Sequence, residues 1–457
     1  MNATETTKPE RRTLIDFKFI KLLLLTSLPL MLASALSYGI GLSDSLMLAA
    51  AGEGEVGAIS AGVQIQNLVT TVTLGFDAAI LLLCARYLGG GKEREALSCG
   101  SLGTLLSLGF GLLCFAAFFF FPDLFVSLLS REEKVISLGG EYLRTLSLSF
   151  PLFCASGALA AILKSRKQVG AVFSASLISL GVKVALNFLL IPDYALGLGA
   201  RGAALSTVLA RGAELAFLAV CFLLSVKDKL RRFLPTSSAA RAFVRYGTPL
   251  LLSQLVWTAN LFYSTSVMGR YGEGLISALG IANTLNTLSA VVTSGIAGGA
   301  AILLSREIGN GKTDTVRLHT RSAEITFLLL GIAVGAVIFI LHKPFVSLYS
   351  VSGEVRATAL SLLLFLSLLA PITGYQSAAM LGIIKSGGDV GFVLFSESVS
   401  VFLIIIPLSL LGSALSVTPT LLYVALKADG IPKCFLAFRR IRSSSYPKRQ
   451  AAEQFGT

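Results

Sequence analysis

The chain has 457 residues, 54% of them hydrophobic and only 14% charged, with a formal net charge of +13. An ordinary soluble domain carries about a quarter charged residues, so this composition excludes a water-soluble globule. The apolar stretches are continuous and do not alternate with polar residues, which excludes a transmembrane β-barrel as well.

About 20 apolar residues at 1.5 Å each cross a hydrocarbon layer of about 30 Å. On that measure the sequence predicts an all-α polytopic membrane protein of about 12 transmembrane helices, near residues 22–48, 58–84, 97–121, 138–163, 169–192, 202–226, 247–269, 275–304, 322–341, 357–384, 390–412 and 415–438. Pro407, Pro419 and Pro432 interrupt the last two, a feature that membrane helices tolerate better than soluble ones. The first apolar stretch, Leu22 to Gly52 with Asp44 as its only charge, is too long for the core of a cleaved secretory signal and reads as a membrane span. The six cysteines (84, 99, 114, 154, 221 and 434) show no metal-ligand spacing and read as packing residues.

The positive charge has a sidedness. Of the 38 Lys and Arg residues, 27 fall in the N-terminus, the C-terminus and the alternate loops that begin at Arg86, Lys164, Lys227, Arg306 and Lys385, whereas the opposite loops hold six. This is the positive-inside pattern, which predicts a multi-pass protein of the inner (cytoplasmic) membrane with both termini cytoplasmic. It also removes a nucleic-acid partner, leaving the lipid bilayer as the surface that the chain is built for.

A shift of 220 residues aligns the first half on the second without a gap. Pro29 falls on Pro249, Gly75 on Gly295, and Arg86, Gly89, Gly91 and Lys92 on Arg306, Gly309, Gly311 and Lys312; Phe125-Val126-Ser127-Leu128 recurs as Phe345-Val346-Ser347-Leu348. With one residue inserted, Lys164-Ser165 meets Lys385-Ser386. Each repeat holds an even number of helices, so the halves cross the membrane in the same sense about a pseudo-twofold axis along its normal, an arrangement common in transporters. The expected organisation is an N-lobe over 1–226, a basic cytoplasmic linker over 227–246 and a C-lobe over 247–457, acting as a monomer. The Gly-Lys loops lack the spacing of a nucleotide loop and read as tight turns.

The repeat is also an internal control. Residues present in both halves serve the fold, and polar residues present in one half are candidates for function. Asp44 is the first of these, because a carboxylate within a span is costly and ordinarily faces a cavity or a partner; its repeat partner is Ser264. The alternative is an interfacial acid at the outer end of the first helix. Lys183 and Asn187, four residues apart, share one face of the fifth helix. Lys183 either balances Asp44 structurally or acts directly. Arg211 and Glu214 are i, i+3 neighbours that can neutralise one another. Asp77 reads as an acid near the cytoplasmic end of the second helix, paired to a basic loop residue. In the second half Glu397, Lys427, Asp429 and Lys433 are the interior charges, and Glu397, which matches Ser176, is the leading candidate. Gln64, Gln254, Trp257, Asn260, Tyr263 and Asn283 add polar or aromatic surface, and aromatic faces can hold organic cations. No nucleotide loop, metal-ligand cluster or Ser/His/Asp arrangement stands out, so neither an ATP-driven pump nor an enzyme is expected.

Several stretches, in this order and spacing, resemble the multidrug and toxic compound extrusion (MATE) family, in its DinF-like branch. They are Ser43-Asp44-Ser45-Leu46-Met47, Gly57 to Gln64, Ala85 to Gly91, Asn187 followed by Gly202-Ala203-Ala204-Leu205-Ser206-Thr207, Pro249 to Trp257, Gly269-Arg270-Tyr271-Gly272 and Lys385-Ser386-Gly387-Gly388-Asp389. The resemblance spans nearly the whole chain. It implies two six-helix lobes in a V, without a cofactor, exporting small organic, often cationic, compounds against entry of H⁺ or Na⁺. It assigns cation coupling to Asp44 with Asn187 and Thr207, and a responsive bend to Pro29. Gln64, Lys183, Arg211, Glu214, Gln254, Trp257, Asn283 and Glu397 complete the candidate cavity. Some DinF-like members carry a second acid where this chain has Ile191. A single acid beside Lys183 suits H⁺ better than Na⁺, which needs several oxygen ligands. The runner-up reading is a flippase of lipid-linked oligosaccharides, whose phosphate would suit Lys183 and Arg211.

Overall fold

The computed structural model describes residues 15–48, 53–127, 133–191, 196–226, 234–269, 273–311, 313–349, 351–415, 417–427 and 429–443. Among the described residues there is no strand, and nine helices are long and apolar enough to cross a bilayer, or ten when a bent pair counts as one span.

The first half comprises α1 (Phe17–Leu48), α2 (Glu53–Gly89), α3 (Glu93–Phe120), the short α4 (Pro122–Ser127), α5 (Glu133–Ser147), α6 (Ser149–Ser165), α7 (Val169–Leu190) and α8 (Gly199–Val226). The second half repeats the order. A short α9 (Ser237–Ala242) runs through a π-turn into α10 (Thr248–Gly269), followed by α11 (Glu273–Gly309), α12 (Thr313–Ser347), α13 (Gly353–Ala378), α14 (Val390–Val399), α15 (Ile406–Ala414), α16 (Pro419–Lys427) and α17 (Gly430–Arg442). The stretch 227–246, expected to link the halves, is thus helical from Ser237 onward, and Phe243 is buried against Phe76 and Ile80 of α2.

Two expected spans are broken and a third carries a π-segment, each with a proline close by. A proline ring clashes with the carbonyl four residues before it and supplies no N–H. Pro151 sits over the carbonyl of Ser147, where the span read as 138–163 divides into α5 and α6 at a bend of 41°. The span read as 415–438 divides into α16, which ends at Lys427, and α17, which opens at Gly430 with Pro432 in its first turn. Pro407 sits over Leu403, inside the π-segment Ser400–Ile405 that joins α14 to α15. Pro419, by contrast, opens α16 at a first-turn position where no N–H is needed.

The turns that follow α2 and α11 match residue for residue. Gly91 and Gly311 both take φ of +71°, the left-handed region that glycine enters without a side-chain penalty, which accounts for the repeated Gly-Lys loops as turns.

The halves meet through a reciprocal set of contacts. A Cβ added at Gly75 would lie 2.8 Å from Leu251, and one at Gly295 would lie 2.3 Å from Met31, so each α2-type helix meets the other half's first helix at the same repeat position. Likewise Gly89 faces the Arg306 carbonyl at 2.1 Å and Gly309 the Arg86 carbonyl at 2.0 Å, measured to such a Cβ. The arginines themselves cross over: Arg86 donates to the Ser386 carbonyl at 3.2 Å, and Arg306 donates to the Ser165 carbonyl at 3.2 Å.

The Gly75 and Gly295 contacts lie about 21 Å along their helices from Gly89 and Gly309, and the other contacts lie at the end of the bundle that carries the basic loops. There the buried apolar clusters draw on both halves: Phe19 and Leu23 pack with Ile296, Ala300 and Leu303, and Ile80 packs with Phe243 and Leu250. Toward the other end each buried cluster belongs to one half. Ile65, Tyr142 and Ala203 pack among first-half residues, and Met268, Leu275 and Leu362 among second-half residues.

Asp16, just ahead of α1, ties the same end together. Its carboxylate accepts the N–H groups of Lys18 and Phe19, at 2.8 and 3.2 Å, and those bonds hold it below the ordinary carboxylate range. It also lies 3.2 Å from Nε2 of His319 on α12, whose Nδ1 lies 2.8 Å from Glu307 of α11, while the imidazole stacks on Phe19. A neutral imidazole has one N–H, so a ring with a carboxylate at each nitrogen is suited to its doubly protonated form.

The glycine contacts are testable. Gly89→Ala must displace the Arg306 backbone and is expected to cost about 1–3 kcal/mol, whereas Gly109→Ala on α3 meets nothing within 4 Å. The unfolding midpoint of the detergent-solubilised protein should therefore fall for the first and hold for the second; equal midpoints would contradict the interface.

Candidate functional site

The expected coupling residues gather on α7 and α8. Lys183 and Asn187 lie one turn apart on one face of α7, exposed by 2% and 0%. The facing stretch of α8 is Ala203-Ala204-Leu205-Ser206-Thr207, whose small residues let the two helices close. Gly202 is required there, since a Cβ would lie 2.6 Å from the Leu190 carbonyl. Lys183 Nζ donates to Thr207 Oγ1 at 2.9 Å, and Ser206 Oγ donates to Asn187 Oδ1. Both hydroxyls reach back to the Ala203 carbonyl, Ser206 at 2.8 Å and Thr207 at 2.9 Å. The cluster is buried and polar and contains the Lys183 ammonium. Ser206 was missed as a site residue; its adjacency to Thr207 was the available signal.

α1 packs against α7 and carries Asp44 on its last third, but the Asp44 side chain lies outside the described residues. Pro29 is inside α1 and half-buried. Ile191, where a second acid might have stood, is buried in the apolar cluster with Tyr142, Ala200 and Ala203, so its place belongs to the core.

Further along α8, one turn from Thr207, Arg211 pairs with Glu214 at 2.6 Å and lies over the Phe153 ring at 4.7 Å, as the i, i+3 spacing anticipates. Asp77 departs from expectation. α2 runs on to Gly89, which puts Asp77 twelve residues, about 18 Å, from that turn. Among the described residues no base is within ion-pair distance of it, and its Oδ1 is buried without a hydrogen-bond partner.

In the second half Glu397 is held in an ion pair. Lys433 Nζ lies 2.8 Å from Glu397 and 2.7 Å from Asp429, so α14 and α17 are clamped by one ammonium between two carboxylates. Lys427 lies over the Tyr423 ring at 5.8 Å. Sequence spacing could not reveal the Glu397–Lys433 pair, because the partners are 36 positions apart on helices whose relative rotation is set by packing. Tyr263 and Ser409 hydrogen-bond across α10 and α15. The remaining candidates are not drawn into either cluster: Gln64 and Asn283 are exposed, Trp257 is 44% exposed, and Gln254 is half-buried against Gly75. Among the described residues no group of three or more His, Cys, Asp or Glu side chains could hold a metal ion.

A duplicated, all-helical, multi-pass membrane protein with a buried polar cluster between its helices and no catalytic constellation is a membrane transporter by class. The MatE family model matches residues 29–189 and again residues 249–411, and the chain belongs to that family. It is a transporter and not an enzyme. The chain is 26% identical over 408 residues to the probable multidrug resistance protein YpnP of Bacillus subtilis (strain 168), covering 86% of this chain and 88% of that protein. It is 21% identical over 374 residues to the probable multidrug resistance protein NorM of Neisseria meningitidis serogroup A, covering 80% and 81%. In fold it is similar to an outward-facing multidrug resistance MATE family transporter of the MOP superfamily, with a TM-score of 0.84 at 19% identity over 99% of this chain and 100% of that one. It is equally similar to MATE in the straight conformation, with a TM-score of 0.84 at 18% identity over 96% and 97% of the two chains.

The Lys433 clamp yields a prediction. Lys433→Met strands two carboxyls and is expected to destabilise by about 3–5 kcal/mol, whereas Glu397→Gln leaves Lys433 its Asp429 partner and should cost less. Thermal unfolding of both variants decides; a smaller loss for Lys433→Met would contradict the clamp.

Proposed function

We propose that this chain is an H⁺-coupled antiporter that exports small organic, chiefly cationic, compounds across the cytoplasmic membrane by alternating access, with multidrug efflux as its role. The relatives named as multidrug resistance proteins support the substrate class. The two lobes are residues 1–226 and 247–457, joined through 227–246, with both termini cytoplasmic. On that orientation the reciprocal glycine and arginine contacts close the cytoplasmic end, and the one-sided clusters at the other end leave the lobes apart there: an outward-facing state.

The observation that carries the coupling assignment is the buried Lys183–Thr207 and Asn187–Ser206 pair of contacts. Neither Lys183 nor Asn187 recurs in the second half, where Ile404 and Leu408 stand. α1, which carries Asp44, packs against the helix that bears them. An acid in a dry cavity favours its neutral form and a nearby ammonium favours its charged form, so movement of α1 against Lys183 is a means of changing proton affinity during the cycle. Asn187 and Thr207 position the acid and its partner. Na⁺ is the weaker reading because an ammonium within the cluster repels it. The flippase reading loses its second phosphate-binding base, since Arg211 is already neutralised by Glu214.

Proteoliposomes loaded with a fluorescent organic cation such as ethidium test this, with a pH gradient and a Na⁺ gradient imposed separately. Wild-type protein should move ethidium in response to the pH gradient, and Asp44→Asn should abolish that response. Retained coupling in Asp44→Asn, or coupling to Na⁺ alone, would sink the proposal.

A further inference from the structure

Among the described residues of the first half, Asp77 is an interior acid that the coupling cluster does not use and whose Oδ1 is buried with no hydrogen-bond partner. It points from α2 toward α6, where Gly157 leaves it room: a Cβ on Gly157 would lie 2.8 Å from Oδ2 and 2.9 Å from Oδ1. Thr73, one turn earlier on α2, bonds instead to Cys154 of α6 at 3.3 Å. The charged groups whose fields reach Asp77 are Lys164, at the end of α6, and Glu214 of α8, and Glu214 already holds Arg211. Cys154 of α6 is the remaining titratable neighbour. The repeat partner of Asp77 is Ala297, so the acid is no requirement of the shared scaffold.

A carboxylate in a membrane interior with neither a base nor hydrogen-bond donors is costly enough that the group keeps its proton.

We propose that Asp77 is a second proton-binding carboxyl of the transport cycle, protonated in the conformation seen here and releasing its proton toward the cytoplasmic end of the first half. The step is a simple ionisation: the Asp77 O–H bond breaks, the proton passes to water entering from the cytoplasmic end, and the carboxylate left behind is met by the Lys164 ammonium as α2 and α6 shift. The proposal rests on the H⁺-coupled reading above and extends it from one acid to two.

Two measurements test it. In infrared difference spectra of the purified protein across a pH step, the band of a protonated buried carboxyl should be present in wild type and in Asp44→Asn and missing from Asp77→Asn; a band that Asp77→Asn retains unchanged overturns the assignment. In ethidium-loaded proteoliposomes, Asp77→Asn should lower pH-gradient-driven transport by a factor of about 10 or more, while ethidium binding to the detergent-solubilised variant stays at the wild-type level. Because Asn occupies the same volume beside Gly157, the binding measurement also reports that the variant is folded. A wild type that ignores the pH gradient overturns proton coupling for both acids. A wild type that responds, with Asp77→Asn indistinguishable from it, overturns the part assigned to Asp77 alone.

Discussion

Each half of this molecule completes the other. Arg86 satisfies a carbonyl in the second half's turn at Ser386, and Arg306 does the same for the first half's turn at Ser165. Around these bonds Gly75, Gly89, Gly295 and Gly309 admit the opposite backbone or side chain to distances that a Cβ would forbid. In hydrocarbon, helices gain little from burying apolar surface against one another, because lipid tails are equally apolar; close backbone approach and interhelical hydrogen bonds must supply the association. The reciprocal contacts do both: the arginine bonds lie at the end that carries the basic loops, and the Gly75 and Gly295 contacts lie deeper along the helices. An interface repeated in this way about a pseudo-twofold axis can rock without exchanging partners.

On this shared frame the halves differ where charge is concerned. At the seal, Thr236 caps α9 by accepting from the Ala239 N–H and bonds to Ser98, both uncharged; at the repeat-equivalent place Asp16 caps α1 and bonds to His319, which in turn meets Glu307. The same backbone geometry is thus held by neutral hydroxyls in one half and by an imidazole between two carboxylates in the other. Deeper in the membrane the second half clamps Glu397, Lys433 and Asp429 together, while the first half sets Lys183 on the Thr207 hydroxyl and leaves Asp77 without a base.

How much of this was legible follows from the range of each interaction. Helix existence, the 220-residue repeat, the shared face of Lys183 and Asn187 and the Arg211–Glu214 pair are properties of local spacing, and they carried over. The break at Leu148 is encoded too, in the carbonyl four residues before Pro151, a proline that the sequence reading does not single out, whereas the interruption at Pro432 is among those it names. Ser206, the Glu397–Lys433 pair and the isolation of Asp77 depend on how helices rotate against one another. Apolar sequence constrains that rotation weakly in a membrane, because every face of such a helix is hydrophobic; α2 and α11, rich in apolar residues all round, show no polar stripe to orient them.

The distribution of interior charge also bears on which half can take up and release protons. A base between two carboxylates, as at Lys433, is stabilised in its charged form by both partners, and removing any one proton leaves the cluster worse off. Such a group is a fastener. An acid with no base within ion-pair distance, as at Asp77, depends first on burial and then on the more distant fields of Lys164 and Glu214, and burial is what changes when helices part and water enters. The first half thus keeps an interior acid whose environment depends on conformation, while the second half uses Glu397, Asp429 and Lys433 to hold α14 against α17. The repeat supplies two copies of the frame, and on the proposed H⁺-coupled reading the missing partner of Asp77 Oδ1 in one of them would tie helix movement to proton transfer.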